Sequence, residues 1–276
     1  MLDPLPFRWP TLVFTVLQAV LVLLPAAGLP RWASRFGGRW WSLVLPGSIA
    51  VVVAGLAVLP DAADVLTWLA LVALPPLAAA TLGWALVGRP RAWWALGAVP
   101  LLAVAIAAEG ERAGDLAALA ITALSCVALG RLLVGAVTTA TPSGTAWIRV
   151  GLVAMAAIDA VLVFSSALDA PNATLNAAVP APGLPQLQYL SLERASLGYG
   201  DVFVAGVLGA VLAAEGASRA LRVRAAALLL LLGIAFDLLF WVVDTLPATV
   251  PVAAVALLVG GLRGVRPGAG VRPDRR

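Results

Sequence analysis

The sequence predicts an all-α polytopic membrane protein, a bundle of nine transmembrane helices. Three observations carry that prediction. The 276 residues are 62% hydrophobic and 12% charged, with a mean hydropathy of +1.01, the composition of an integral membrane chain. Apolar runs of about twenty residues, long enough to cross a bilayer core, recur along the whole chain. The connections between them alternate in arginine content, as they do when successive loops lie on opposite sides of a membrane.

The runs cover 9–29, 41–60, 64–88, 92–108, 113–137, 145–168, 195–215, 222–243 and 246–262. The first follows Arg8 and Trp9, is long enough to span, and lacks a polar cleavage region behind it, so it reads as a span and not a signal peptide. The third carries Pro75-Pro76 at its middle and is expected to kink. The fourth and ninth are short. Between the sixth and seventh lies the longest polar interval, 169–194, where Pro171, Asn172, Pro180, Pro182, Gly183 and Pro185 favour a loop with at most one short amphipathic piece. Trp40, Trp41, Trp93, Trp94 and Trp147 fall at span ends and read as interface anchors. No internal repeat is evident. The chain is expected to form one integral membrane domain over 1–276: a five-helix part (1–140), a four-helix part (145–262) and a tail (263–276).

All 18 basic residues are arginine. Fifteen of them, including Arg31, Arg35, Arg89, Arg149, Arg222 and the tail arginines, fall on one set of loops and in the C-terminal tail. The opposite loops hold Arg8, Arg112 and Arg194 together with Asp61, Asp64, Glu109, Glu111, Asp115, Asp169, Glu193 and Asp244. The asymmetry orients the N-terminus outside and the C-terminus in the cytoplasm, and accounts for a pI near 10.5 without a nucleic-acid partner. A prokaryotic plasma membrane is the expected location. Arg131 is expected to snorkel to the inner surface.

Histidine is absent and Cys126 is the single cysteine, which excludes histidine triads, histidine-ligated metals and disulfides within the chain. Cys126 reads as a small core residue. Ser165 and Ser166 have no histidine or lysine to activate them.

What remains for chemistry is carboxylates. Asp159 lies inside the sixth run and Asp201 near the head of the seventh, each at an insertion cost of roughly 2.5–3.5 kcal/mol. With the helices antiparallel, Asp159 sits roughly 13 Å and Asp201 roughly 9 Å from the outer surface, so the two carboxyls can face each other. Gly198 and Gly200 remove side-chain bulk beside Asp201 and permit close approach of another backbone. A close pair of carboxyls shares one proton. That state serves an aspartic protease: the carboxylate takes a proton from water and the carboxylic acid protonates the scissile carbonyl. Asp237, on the eighth run at similar depth, reads as structural, as a cavity residue, as a partner for Arg194 or as part of a proton path.

The segment Leu197-Gly198-Tyr199-Gly200-Asp201-Val202-Phe203 resembles the GxGD segment of the presenilin and signal peptide peptidase family of intramembrane aspartyl proteases. Ile158-Asp159-Ala160 resembles that family's Tyr-Asp segment on the preceding helix, and Leu246-Pro247-Ala248-Thr249 its Pro-Ala-Leu motif at the ninth span. The resemblance is specific over about 150–255 and rests on span count before residue 140. It implies a presenilin-like bundle, Asp159 and Asp201 as catalytic residues, and Gly198, Tyr199, Gly200, Pro247, Ala248 and Thr249 at the substrate. Substrates would be transmembrane segments or signal-peptide remnants, hydrolysed without metal or organic cofactor. The N-out, C-in orientation is similar to the signal peptide peptidase branch. Ile158 stands where the family has tyrosine, and Thr249 where it has leucine; Pro247-Ala248 keeps the compact backbone. Three alternatives stay open: a proton-coupled transporter using the aspartates as a relay, a prepilin-peptidase-like protease, and an inactive member that binds membrane helices without cutting them.

Overall fold

The computed structural model describes residues 9–25, 37–59, 61–86, 91–139, 143–193, 195–243 and 245–264. The expectations placed on Arg8, Arg31, Arg35, Arg89, Arg194, Asp244 and the tail beyond 264 lie outside these residues.

Helix occupies each of the nine apolar runs. The first holds α1 (Trp9–Leu23), the second a 3₁₀ turn (Arg39–Leu43) leading into α2 (Val44–Val58), and the third α3 (Ala62–Ala80). The fourth is broken into α4 (Ala92–Ala95) and α5 (Ala98–Ala107). The fifth and sixth are α6 (Arg112–Thr138) and α7 (Gly144–Phe164). After α8 (Asp169–Ala177) and a hairpin, the last three are α9 (Tyr199–Ala214), α10 (Arg219–Asp237) and α11 (Thr249–Gly264). Among the described residues, five stretches can cross a membrane by length and composition: Trp40–Val58, Ala62–Ala85, Arg112–Thr138, Gly144–Phe164 and Arg219–Trp241. The other four apolar helices have 10–17 residues. The surface is apolar where lipid would lie: Val51, Val72, Val161, Phe164 and Leu231 are 65–71% exposed.

The bundle is organised around α9, in which every residue from Val202 to Ala213 is buried. A helix apolar on all sides belongs at the centre, and α9 packs on α6, α1 and α11. Small residues set the spacing. A Cβ on Gly206 would lie 2.7 Å from the Cys126 carbonyl oxygen, and one on Gly130 would lie 2.9 Å from the Gly206 carbonyl carbon. Glycine alone lets the α6 and α9 backbones touch. Cys126 is buried in this contact, as a core residue.

Several helix ends have local causes. Both α7 and α9 stop in a Schellman motif. Ala167 N–H reaches Leu162 O and Ser166 N–H reaches Val163 O, with Ser166 at φ 56°; Ala217 N–H reaches Leu212 O and Gly216 N–H reaches Ala213 O, with Gly216 at φ 63°. The α7 helix therefore ends four residues before the expected 168, and Ser166 terminates a helix. The Ser218 hydroxyl caps α10 by accepting from Leu221 N–H. Arg222 donates to the Leu23 and Pro25 carbonyls, at 2.8 Å each, closing the C-terminal end of α1.

Two expectations are corrected. The 169–194 interval is more than a loop: α8 is its one short helical piece, and after it comes a two-stranded antiparallel hairpin, β1 (Tyr189–Leu192) paired with β2 (Ala195–Gly198), in an otherwise all-α fold. The alternation of buried Leu190 and Leu192 with less buried neighbours drives the strand. Glu193 takes φ 56° directly after β1, where the chain leaves the strand. The seventh helix thus starts at Tyr199, because residues 195–198 are spent in β2. Helix in the third run passes through Pro75-Pro76. It continues to Ala80 and then widens into a π turn, Thr81–Ala85. Arg131 does not reach a surface. It is 3% exposed, donates to the carbonyls of Trp84 (3.3 Å) and Ala85 (2.8 Å), and lies 4.2 Å over the Trp84 ring. The open carbonyls at the end of the π turn draw the guanidinium inward. The five tryptophans at run ends are 37–69% exposed, in keeping with interface anchors.

Candidate active site

A cavity of about 1100 Å³ opens among α1, α2, α3, α6, α7, α8, the hairpin and α9 to α11. Asp159, Asp201 and Asp237 all line it.

Asp201 is placed by the hairpin. β2 runs directly into α9, and Gly198 is at once the last residue of β2 and the N-cap of the helix, with φ −63° and ψ 146°. Asp201 is the third helical residue. Its carboxyl folds back and accepts from the Gly198 N–H, the reciprocal half of a capping box. A Cβ on Gly198 would meet Asp201 Oδ2 at 3.0 Å, so glycine is what lets the carboxyl lie there. Gly200 faces α7, where an added Cβ would stand 3.4 Å from Met155 Cε. From α1, the buried Gln18 donates through Nε2 to the Asp201 carbonyl oxygen at 2.9 Å.

Asp159 lies on α7, five residues before its end at Phe164, and is 6% exposed. Thr249, the first residue of α11, donates its hydroxyl to Asp159 Oδ2 at 2.6 Å, and its backbone N–H is a second donor to the same carboxyl. The Asp159 carboxyl lies within electrostatic reach of Asp201. Both aspartates are shallower in their helices than the sequence implies, because α7 stops early and α9 starts late. The two changes act in the same direction, so both carboxyls still line one cavity.

Of the remaining sequence candidates, Gly198, Tyr199, Gly200, Ala248 and Thr249 line the cavity. Pro247 is buried beneath them, and its carbonyl accepts from Val250 N–H at 3.1 Å as α11 begins. The Tyr199 hydroxyl is 3.1 Å from Ser125 Oγ on α6, and its ring stacks on Phe203 at 6.4 Å, so Tyr199 anchors the start of α9. Asp237 is half-buried, with its Oδ2 3.1 Å from the Thr15 hydroxyl. Thr15 and Gln18 are one turn apart on α1, so Asp237 is held one α1 turn from the Asp201 backbone.

Three residues of this site have no motif to announce them, and a fourth, Thr249, lies in a motif that does not reveal its contact. Thr15 and Gln18 are polar residues in an apolar run, a signal of the same kind as that of the aspartates, whereas Gln188 lies in the polar interval and nothing in the sequence marks it. Gln188 lines the cavity with its Oε1 buried and unpaired among the described residues. The hydroxyl of Thr249 reads from the sequence as a mild replacement in a backbone motif, whereas it is a direct ligand of Asp159. Among the described residues no group of three His, Cys, Asp or Glu side chains is arranged to hold a metal ion.

Comparison with known proteins returned no match: no family model, curated protein or solved structure aligns significantly with this chain. The functional reading therefore stands on the geometry of the cavity and on the three short segments quoted above.

Proposed function

We propose that the chain is an intramembrane aspartyl protease that hydrolyses peptide bonds within membrane-spanning segments, with Asp159 and Asp201 as its catalytic pair. The observation that carries the reading is the convergence of these two carboxyls, from α7 and α9, on one large and mainly apolar cavity, with oriented donors on each. A pair sharing one proton supplies a base for water and an acid for the scissile carbonyl at the same time. All nine apolar helices cross the membrane in this reading, with the N-terminus outside and the C-terminus cytoplasmic, as the arginine distribution requires.

The substrate is a transmembrane or signal-peptide segment that enters locally unwound, because a helix hides its carbonyls. The β1–β2 hairpin borders the cavity, and an unwound segment has backbone groups to offer a strand edge and the unpaired Gln188 Oε1. Gly198, Gly200 and Ala248 keep that approach free of bulk.

The test is binding of a peptide isostere that carries a hydroxyl in place of the scissile carbonyl and mimics the tetrahedral intermediate. Purified protein binds it, and Asp159→Ala and Asp201→Ala each lose it. Equal binding by all three proteins would refute the assignment.

A second reading, a proton-coupled transporter, is favoured by one observation: Asp237 shares the cavity with the pair. It predicts proton-linked uptake in proteoliposomes and retained function when Asp201 is changed to Glu. The protease reading predicts neither.

A further inference from the structure

We propose that Thr249 is a positioning residue that divides the labour of the aspartate pair, holding Asp159 as the carboxylate that accepts the proton from water and leaving Asp201 as the acid. The inference rests on the protease reading and deepens it. Thr249 is 2% exposed, and its hydroxyl is 2.6 Å from Asp159 Oδ2. That separation is typical of a hydroxyl donating to an ionised oxygen. The second donor, the Thr249 N–H, belongs to the first turn of α11, where backbone N–H groups have no partner within the helix and the helix dipole favours negative charge. Asp201 lies in the first turn of α9 and meets a like dipole, but among the described residues its one donor is the Gly198 N–H. Two donors against one, with the hydroxyl among them, assign the negative charge to Asp159.

The chemistry then has a fixed direction. Water adds through its oxygen to the scissile carbonyl carbon; its proton passes to Asp159 as the Asp201 proton passes to the carbonyl oxygen, giving a gem-diol. On collapse, the carbon–nitrogen bond breaks, Asp159 returns its proton to the leaving nitrogen, and one gem-diol hydroxyl returns a proton to Asp201. The products are a carboxylic acid and an amine, and the pair regains its starting state. The other titratable groups lining the cavity among the described residues are Asp237, Tyr189 and Tyr199. None of them donates to Asp159 in the structure.

The experiment compares wild type, Thr249→Ser, Thr249→Val and Asp201→Ala in cleavage of a membrane-helix reporter in detergent. It reads kcat, KM, the pH profile and the infrared carboxylate band assigned to Asp159 by subtraction of Asp159→Asn. Thr249→Ser keeps a hydroxyl and is expected within about threefold of wild type. Thr249→Val keeps the shape and is expected to lose about 10- to 100-fold in kcat with KM unchanged, the loss of one hydrogen bond to a charged group. In that variant the acidic limb of the pH profile moves to higher pH, and the carboxylate band shifts. Thr249→Val with wild-type kcat, pH profile and band overturns the positioning role while leaving the protease reading intact. Cleavage by Asp201→Ala, or none by wild type, overturns the protease reading and this inference with it. Equal losses in Ser and Val variants, or a change confined to KM, would also overturn it.

Discussion

Gln18 of α1 donates to the backbone carbonyl of Asp201 at 2.9 Å, so the first turn of α9 is held from outside its own helix. The side chain is 6% exposed and sits one α1 turn from Thr15, which holds Asp237. α1 is therefore the strut that fixes two of the three cavity carboxyl-bearing helix ends. Gln18→Leu is expected to lower stability by about 0.5–1.5 kcal/mol, the net value of one intramolecular hydrogen bond, without abolishing activity. Thermal unfolding in detergent measures the loss, and an unchanged or raised melting temperature would show that the strut contributes nothing.

The α6–α9 contact predicts a contrast between two glycines. Gly206→Ala puts a Cβ 2.7 Å from the Cys126 carbonyl oxygen. The helices must separate, at a cost of about 1–3 kcal/mol. A Cβ on Gly47 meets nothing within 4 Å, so Gly47→Ala in α2 is expected to be neutral or to stabilise by up to about 1 kcal/mol. Denaturation of the two variants under the same conditions checks the sign of each.

The shared proton predicts a bell-shaped dependence of cleavage on pH. At low pH both carboxyls are protonated and no base remains; at high pH the shared proton is gone and no acid remains. Activity falls on both sides of a maximum. A rate that rises steadily into the alkaline range would contradict a carboxyl acid in the mechanism.

The helices were largely legible in the sequence, since each of the nine apolar runs contains one, and the span ends carry exposed tryptophans. What composition could not show is where a run stops being helix. Residues 195–198 are apolar enough to belong to a span, yet they pair with Tyr189–Leu192, with Glu193 at positive φ as β1 ends. Arg131 misleads for a similar reason: its destination is a set of open carbonyls on another element, the π turn, and no property of α6 announces them. In the site, the aspartates stand out because ionisable groups are rare in apolar runs. Their partners Gln18, Thr15 and Thr249 are uncharged, so pairing them with an aspartate needed the tertiary arrangement.

The arginine asymmetry predicts topology. In a Cys126→Ser background, Ala173→Cys on α8 and Ala220→Cys at the start of α10 are both exposed positions on opposite connections. A membrane-impermeant thiol reagent added outside intact cells is expected to label position 173 and not position 220. The reverse pattern would invert the orientation.

The direct test of the central claim is cleavage of a generic membrane-helix reporter by purified wild-type protein and by Asp201→Ala, with product termini read by mass spectrometry. Wild type is expected to cut within the membrane segment. Asp201→Ala is expected to be folded and inactive, because an apolar side chain there removes a desolvation cost along with the acid. Asp159→Ala should match it, since the pair acts as a unit, while Asp237→Ala retains measurable activity. Undiminished cleavage by Asp201→Ala would contradict the account.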